Sequence, residues 1–246
     1  MPVRTIVNKA ARYFGFNITR YPPPIDCGTN LFLHWIRRIQ NTGQVQVIFD
    51  VGANRGQTIT RFRREFPEST IYAFEPGPAT FVELQDRTKK DSKVKLFNMA
   101  MGDYDGNAML HENMNDVTNS LLANSGKIAQ FAPMEMCAPK SKCTIPIMRL
   151  DSFCIKEFIQ KIDILKIDAQ GYERHILTGA DNLLCPATVR GLFLEVLFVE
   201  LYEKQTWCGE IIELLRSRGY RLFGFTEINY DDIHGWKWAD AMFIGD

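Results

Sequence analysis

The chain lacks net charge: 29 Lys and Arg residues balance 29 Asp and Glu. Without an excess of either sign, no field gathers phosphate backbones or anionic headgroups, which argues against a dedicated nucleic-acid binder. Long apolar runs are also missing. The greasiest stretch, Leu192 to Leu201, is interrupted by Glu195 and Glu200 and falls well short of the roughly 20 residues a transmembrane helix needs. The six cysteines (Cys27, Cys137, Cys143, Cys154, Cys185 and Cys208) form no C-x-x-C pair and have no histidine at zinc-finger spacing. They read as reduced thiols of a cytoplasmic protein rather than as a disulfide frame. His34, His111, His175 and His234 share no spacing that marks a base, and His175 beside Glu173 reads as a polar pair on a helix surface. Acids are absent from the start, where Arg4, Lys9, Arg12 and Arg20 precede Asp26; with no serine there, and with aromatics over Tyr13 to Phe16, this segment reads as a docked helix rather than a transit peptide.

What is present is a globular composition, 46% hydrophobic and 24% charged over 246 residues, enough chain for one large core. Residues 1–44 are expected as an N-terminal helical extension and 45–246 as one domain. Val45 to Val51 is a short β-branched run ending at Gly52, as in a buried strand. A helix follows from Gly56 to Phe66, then a strand at Thr70 to Glu75, a helix from Pro78 to Lys89 with Phe81, Val82 and Leu84 inward, and a strand at Val94 to Ala100. Right-handed crossovers make this β-α-β-α-β run parallel. The alternation resumes with a strand at Ile162 to Asp168, a helix at Tyr172 to Thr178, a strand at Arg190 to Val196, a helix at Cys208 to Arg218 and strands at Tyr220 to Phe225 and near the C-terminus. Thr226 to Ala239 reads as a loop too irregular for a crossover helix, so the last two strands pair antiparallel. The expected fold is a three-layer α/β sandwich, Rossmann-like and mostly parallel with an antiparallel C-terminal strand. Residues 103–148 interrupt it as an inserted lid, with a strand near Ala108 to His111, a mobile stretch from Asn115 to Pro139 and a strand at Thr144 to Met148.

The chemical signal is Asp50-Val-Gly52-Ala-Asn54-Arg-Gly56 between a strand and a helix. Glycines there let the backbone approach a ligand, and the helix start offers free N–H groups. The spacing D-x-G-x-x-x-G is not the dinucleotide fingerprint, and no lysine with a hydroxyl neighbour follows the last glycine as in a phosphate loop. An adenosine ligand with no phosphate to cradle remains, Asp50 suiting one with positive charge. Glu75, at the end of the second strand, is placed to accept from both ribose hydroxyls.

These blocks resemble the FkbM-type S-adenosylmethionine-dependent methyltransferases. The resemblance rests on VIFDVGANRGQT, YAFEP, NMAMGDYDG, PIMRLDSF, IDILKIDAQGYE and LEVLFVELYE, in that order, over residues 45–244. It implies a class I methyltransferase fold and methylation of a hydroxyl, most often on a sugar or a polyketide. It also implies that Asp50, Gly52, Ala53, Asn54 and Gly56 surround the methionine part and adenosine of the methyl donor, that Glu75 holds the ribose and that Met101 meets the adenine. One departure is Ala169-Gln170, where many members carry a glutamate at the second position.

A sulfonium methyl is already activated, so the protein must align donor and acceptor and manage one proton. Asp168 ends a strand at the carboxyl edge where such sheets bind ligands, and is assigned as proton acceptor or orienter of the hydroxyl. Lys166, two residues earlier on the same strand face, is assigned as its partner, and Glu195 as a further acceptor. Alternatively, Asp168 and Glu195 hold a divalent cation together with substrate oxygens. Ser120 and Tyr202 are assigned to the substrate, a small molecule or a glycan. A binding module without turnover and a nicotinamide oxidoreductase on a similar sheet are the rival readings.

Overall fold

A computed structural model describes residues 31–245. The basic and aromatic segment before Leu31, including Cys27, lies outside the described residues. The elements run α1 (Leu31–Gln40), β1 (Val47–Val51), α2 (Gln57–Glu65), β2 (Thr70–Phe74), α3 (Pro78–Thr88), β3 (Val94–Phe97), β4 (Ala100–Gly102), β5 (Gly106–Asn113), a 3-10 turn (Asp116–Thr118), α4 (Ile128–Phe131), α5 (Met134–Cys137), β6 (Pro139–Arg149), α6 (Leu150–Lys156), β7 (Ile162–Ile167), α7 (Glu173–Thr178), β8 (Val189–Leu197), α8 (Cys208–Ser217), β9 (Tyr220–Asp231) and β10 (Gly235–Gly245). Seven strands form the main sheet in the order β3-β2-β1-β7-β8-β10-β9, and β4-β6-β5 form a second sheet. The first five of the main sheet are parallel; β10 is antiparallel to both β8 and β9.

Two apolar layers follow from the alternation of side chains along these strands. Phe49, Phe74, Leu165, Leu192 and Phe243 face one way, onto Phe153 of α6, Ile176 of α7 and Ile211 of α8. Ile48, Ile71, Ile164, Phe193 and Met242 face the other, onto Trp35 of α1, Phe62 of α2 and Leu84 of α3. Strand order reverses between β1 and β7, since β1 leads to β2 on one side while β7 leads to β8 on the other. At such a switch point the loops leaving the two strands part and open a crevice at their carboxyl ends.

Several local expectations change. Val94 to Ala100 is not one strand: it breaks at Asn98, whose amide donates to the carbonyl oxygens of Glu75 and Pro76, so that Ala100–Gly102 joins the second sheet. Thr226 to Ala239 is not a loop; β9 and β10 continue to a tight turn where the Asp231 carboxylate accepts the N–H groups of Ile233 and His234. Register shifts between Trp236 and Asp240 disturb the period-2 pattern and hide these strands in the sequence. Val82 is 63% exposed, and Thr80 and Leu84 are the buried residues of α3. The stretch from Asn115 to Pro139 contains the 3-10 turn, α4 and α5. It is tied down where Ser125 N–H donates to the Leu201 carbonyl and the Asn124 amide to that of Cys137.

A buried ion pair closes the other end of the sheet. Arg190 on β8 reaches Asp163 on β7 at 2.8 Å and also donates to the carbonyl oxygens of Gly43 and Gln44. The Asp163 carboxylate accepts the N–H groups of Gln46 and Val47. The pair therefore fixes the entry of β1 against β7 and β8. Asp163→Ala leaves a buried guanidinium unpaired and is expected to cost about 3–5 kcal/mol, a fall of about 10 °C in Tm; a urea melt within experimental error of the parent would contradict this.

Candidate functional site

On the sheet face that carries Ile48, Ile164, Phe193 and Met242, the strand residues nearest the switch point are Asp50, Lys166, Glu195 and Asp240. Asp50 and Lys166 are register partners on β1 and β7, and Glu195 and Asp240 are partners on β8 and β10. Asp168 follows Lys166 by two residues on the same face. Side chains that are apolar in the middle of the sheet thus become ionisable at its edge.

Lys166 organises the crevice. It is 4% exposed, and its ammonium lies 2.9 Å from Asp50 Oδ1 and 3.8 Å from Asp168 Oδ2. It donates to the carbonyl oxygens of Gly52 at 2.6 Å and Val51 at 3.3 Å. Lys166 therefore pairs first with Asp50 and only second with Asp168, its expected partner. The reason is the register, which sets Asp50 and Lys166 side by side on adjacent strands. Asp50 is fully buried beneath the loop and does not line the cavity; neither does Gly56, which packs toward Leu84. Burial raises the Asp50 carboxyl even against Lys166. Burial also works against the Lys166 ammonium, but Asp50 and Asp168 hold its pKa above the usual value.

The glycine loop presses on the strand beside it. Gly52 has φ +74°, and a Cβ there would lie 1.9 Å from the Asp168 carbonyl oxygen. Asn54 also takes a left-handed backbone, and its N–H donates to Glu75 Oε2 at 2.9 Å. The other oxygen of Glu75 accepts from Gly77 N–H at 2.8 Å. Burial pushes the Glu75 carboxyl up to about 7. Above it opens a cavity of about 290 Å³ lined by Gly52, Ala53, Asn54, Glu75, Met101, Ser120, Lys166, Asp168 and Gln170. Phe74, Met99, Leu110, Val117, Leu121 and Ile176 complete an apolar wall. That volume, with one acid held by two backbone N–H groups beside an apolar wall, fits an adenosine-bearing ligand. No motif announced Leu110, Val117 or Leu121, because the inserted segment brings them in from a distance.

Also lining the cavity, Gln170 donates through its carboxamide to Asp168 Oδ1 and to Glu195 Oε2, each at 2.8 Å, and accepts from the Tyr202 hydroxyl at 2.8 Å. Tyr202, expected at the substrate, is 1% exposed and stands behind Gln170. Its loop is folded back by Gln205, whose Oε1 accepts from the N–H groups of Leu201 and Tyr202. Ser120 does line the cavity, but its hydroxyl is engaged with the Gln170 carbonyl oxygen at 2.7 Å. Glu195 likewise meets the cavity only through Gln170. The cation alternative does not fit, because an amide nitrogen rather than open space separates Asp168 and Glu195. Among the described residues no group of three or more His, Cys, Asp and Glu side chains is arranged to hold a metal ion.

Glu173 was read as a surface residue and is instead 2% exposed. Its Oε1 accepts the N–H groups of Ala169 and Gly171 and so shapes the turn that carries Gln170. Its signal was the spacing to Asp168 and Gly171. His175 stacks on Tyr172 with ring centroids 4.0 Å apart. A further tie crosses the site: Arg55, just after Asn54, binds Asp116 and Glu83 at 2.6 and 2.7 Å, joining the glycine loop to the inserted segment.

The sequence profile of the methyltransferase FkbM domain matches residues 50–222. The chain is 26% identical over 178 residues to the 2-O-methyltransferase NoeI of Sinorhizobium fredii, a match that covers 70% of this chain and 71% of NoeI. It is 25% identical over 209 residues to the 31-O-demethyl-FK506 methyltransferase FkbM of Streptomyces tacrolimicus, over 74% of this chain and 78% of that one. Among solved structures, methyltransferase FkbM from Methylobacillus flagellatus superposes with a TM-score of 0.52 at 13% identity, over 82% of this chain and 43% of that one.

Glu75, Glu173 and Asp240 are each raised by burial to about 7. Between their ordinary values near 4 and pH 7 the folded chain holds protons that the unfolded chain has released. The stability they supply is complete in acid and is lost as pH rises through 7. His111 and His175, which burial lowers, oppose this only below their ordinary value of 6.5. Thermal melts are therefore expected to give a higher Tm at pH 6 than at pH 8, with a smaller gap in Glu75→Gln; a Tm that climbs over this interval would refute the assignment.

Proposed function

The chain belongs to the FkbM methyltransferase family and is an S-adenosylmethionine-dependent methyltransferase, and from that premise we propose that it methylates a hydroxyl, on a sugar or glycan. The observation that carries this reading is that Glu75, the glycine loop and Asp168 line one cavity. S-adenosylmethionine supplies a methyl group on a positively charged sulfur. Glu75 binds the ribose hydroxyls, Gly52 and Ala53 admit the methionine part, and Met101 with its apolar neighbours takes the adenine.

Of the carboxyl groups at the sheet edge, Asp50, Asp168, Glu195 and Asp240, Asp168 is the one that lines the cavity, its side chain 40% exposed. Transfer to an acceptor oxygen would break the S–methyl bond, its electron pair returning to sulfur to leave S-adenosylhomocysteine, and Asp168 is placed to orient the hydroxyl and take its proton. Lys166 stands 3.8 Å from Asp168 and holds the Gly52 carbonyl oxygen, so that donor loop and base are set by one side chain. NoeI acts at a 2-O position and FkbM at a 31-O position by their names, which supports an oxygen acceptor here. A second cleft of about 410 Å³ shares Asp116 and Asn119 with the cavity and is walled by Glu112, Asn113, Asn115, Glu135 and Lys140. Such a wall hydrogen-bonds a polyol better than it packs a polyketide. The five cysteines among the described residues are free thiols, which fits work in the cytoplasm.

Calorimetric titration of S-adenosylmethionine and, separately, NAD is expected to show micromolar binding of the first alone, weakened by about 1–3 kcal/mol in Glu75→Ala. A preference for NAD would overturn the cofactor and with it the reaction. In a screen of glycosides and other polyols, Asp168→Asn is expected to bind the donor as the parent does while turnover falls by about 10²–10⁴. Undiminished turnover in that variant would remove Asp168 from the chemistry, and a screen in which only apolar alcohols react would remove the sugar.

A further inference from the structure

Gln170 lies where three elements converge, and its geometry exceeds what a lining residue requires. Its backbone is left-handed at φ +52°, followed by Gly171 at φ +93°, a strained turn that sends the side chain back across the ends of β7 and β8. The carboxamide is then fully engaged. Its nitrogen donates to Asp168 Oδ1 and Glu195 Oε2, and its oxygen accepts from Tyr202. The backbone carbonyl accepts from Ser120. An amide can be turned over, but the neighbours here favour one orientation: turned over, its oxygen would face the Asp168 oxygen that now accepts its N–H. The Tyr202 hydroxyl, buried and donating, completes that choice.

Two carboxyl groups on adjacent strand ends, Asp168 lining the cavity and Glu195 behind it, form a pair that a divalent cation commonly bridges. Here the two N–H bonds of one amide stand between them. We infer that Gln170 is a positioning residue whose carboxamide occupies the place a divalent cation would take between Asp168 and Glu195, so that Asp168 is aimed at the acceptor hydroxyl without metal. This rests on the methyl-transfer reading for the role of Asp168, whereas the exclusion of metal by the amide does not depend on it. Held through Oδ1, Asp168 keeps Oδ2, the oxygen nearer Lys166, for the substrate.

The test is a Mn²⁺ titration of the full chain followed by electron paramagnetic resonance, with donor binding measured alongside by calorimetry. The parent is expected to bind no Mn²⁺ below about 1 mM, whereas Gln170→Glu, which replaces the donor group by a third carboxylate, is expected to bind one ion per chain. Asp168→Asn added to Gln170→Glu is expected to abolish that binding. A parent that binds Mn²⁺ and loses it in Asp168→Asn overturns the inference, as does a Gln170→Glu chain that binds the donor but no Mn²⁺. Gln170→Ala removes the bridge without adding charge. With an acceptor from the polyol screen its kcat is expected to fall at least about tenfold while KM for the donor stays within about threefold; an unchanged kcat overturns the positioning role even if Gln170→Glu does not fold. Failure of S-adenosylmethionine to bind the parent would defeat the methyl-transfer reading and leave the Mn²⁺ result standing by itself.

Discussion

The buried ammonium of Lys166 is the contact on which the site depends. An uncompensated charge at that depth would be prohibitively costly, and the structure compensates it three ways: the Asp50 carboxylate, the carbonyl oxygens of Val51 and Gly52, and the more distant Asp168. Each of these belongs to a part that must stay in place for the crevice to exist. Asp50 holds β1 against β7, the carbonyl oxygens hold the start of the glycine loop, and Asp168 is the group that faces the cavity. A single cation therefore ties the glycine loop to the carboxylate of Asp168 that lines the cavity.

From that anchor the polar groups extend as a chain. Asp168 and Glu195 share the amide of Gln170, Gln170 is braced by Tyr202 and Ser120, and the turn beneath is closed by Glu173. Almost every polar atom in this network is committed to a partner, and Asp168 is the carboxylate in it that lines the cavity. Such networks stiffen a site because any one member, if moved, strands the others in a poorly solvated place. The same crowding raises Glu195 well above its ordinary carboxylate value, burial first and the neighbouring acids after it.

The inserted segment shows how a tertiary arrangement completes a motif. Leu110 from β5, and Val117, Ser120 and Leu121 beyond it, reach the cavity only because β5 and β6 fold into a small second sheet beside the first. Arg55 and Asp116 then lock that segment to the glycine loop. None of these residues carries a spacing that announces a ligand, since the distance between them along the chain is set by insertion rather than by a helix or strand period.

Alternation of apolar runs with helical spacings was enough to read the parallel core, its strand ends and the glycine loop, because local periodicity and a turn that needs Gly52 leave direct marks on the sequence. Asp168, Glu75 and Lys166 were legible for the same reason: strand ends and period 2 dictate which way they face. Partnership was not legible. That Lys166 takes Asp50 before Asp168 follows from the register of β1 against β7, and that Tyr202 stands behind Gln170 follows from a loop folded back by Gln205. The broken third strand at Asn98 and the long β9–β10 hairpin were hidden because a side-chain hydrogen bond and bulges, rather than residue preference, decide them. The sequence by itself determined the fold class, the loop and the acids that face the crevice; only the tertiary structure decided which of them touch, because pairing depends on register and loop path, and neither is written in any local stretch of chain.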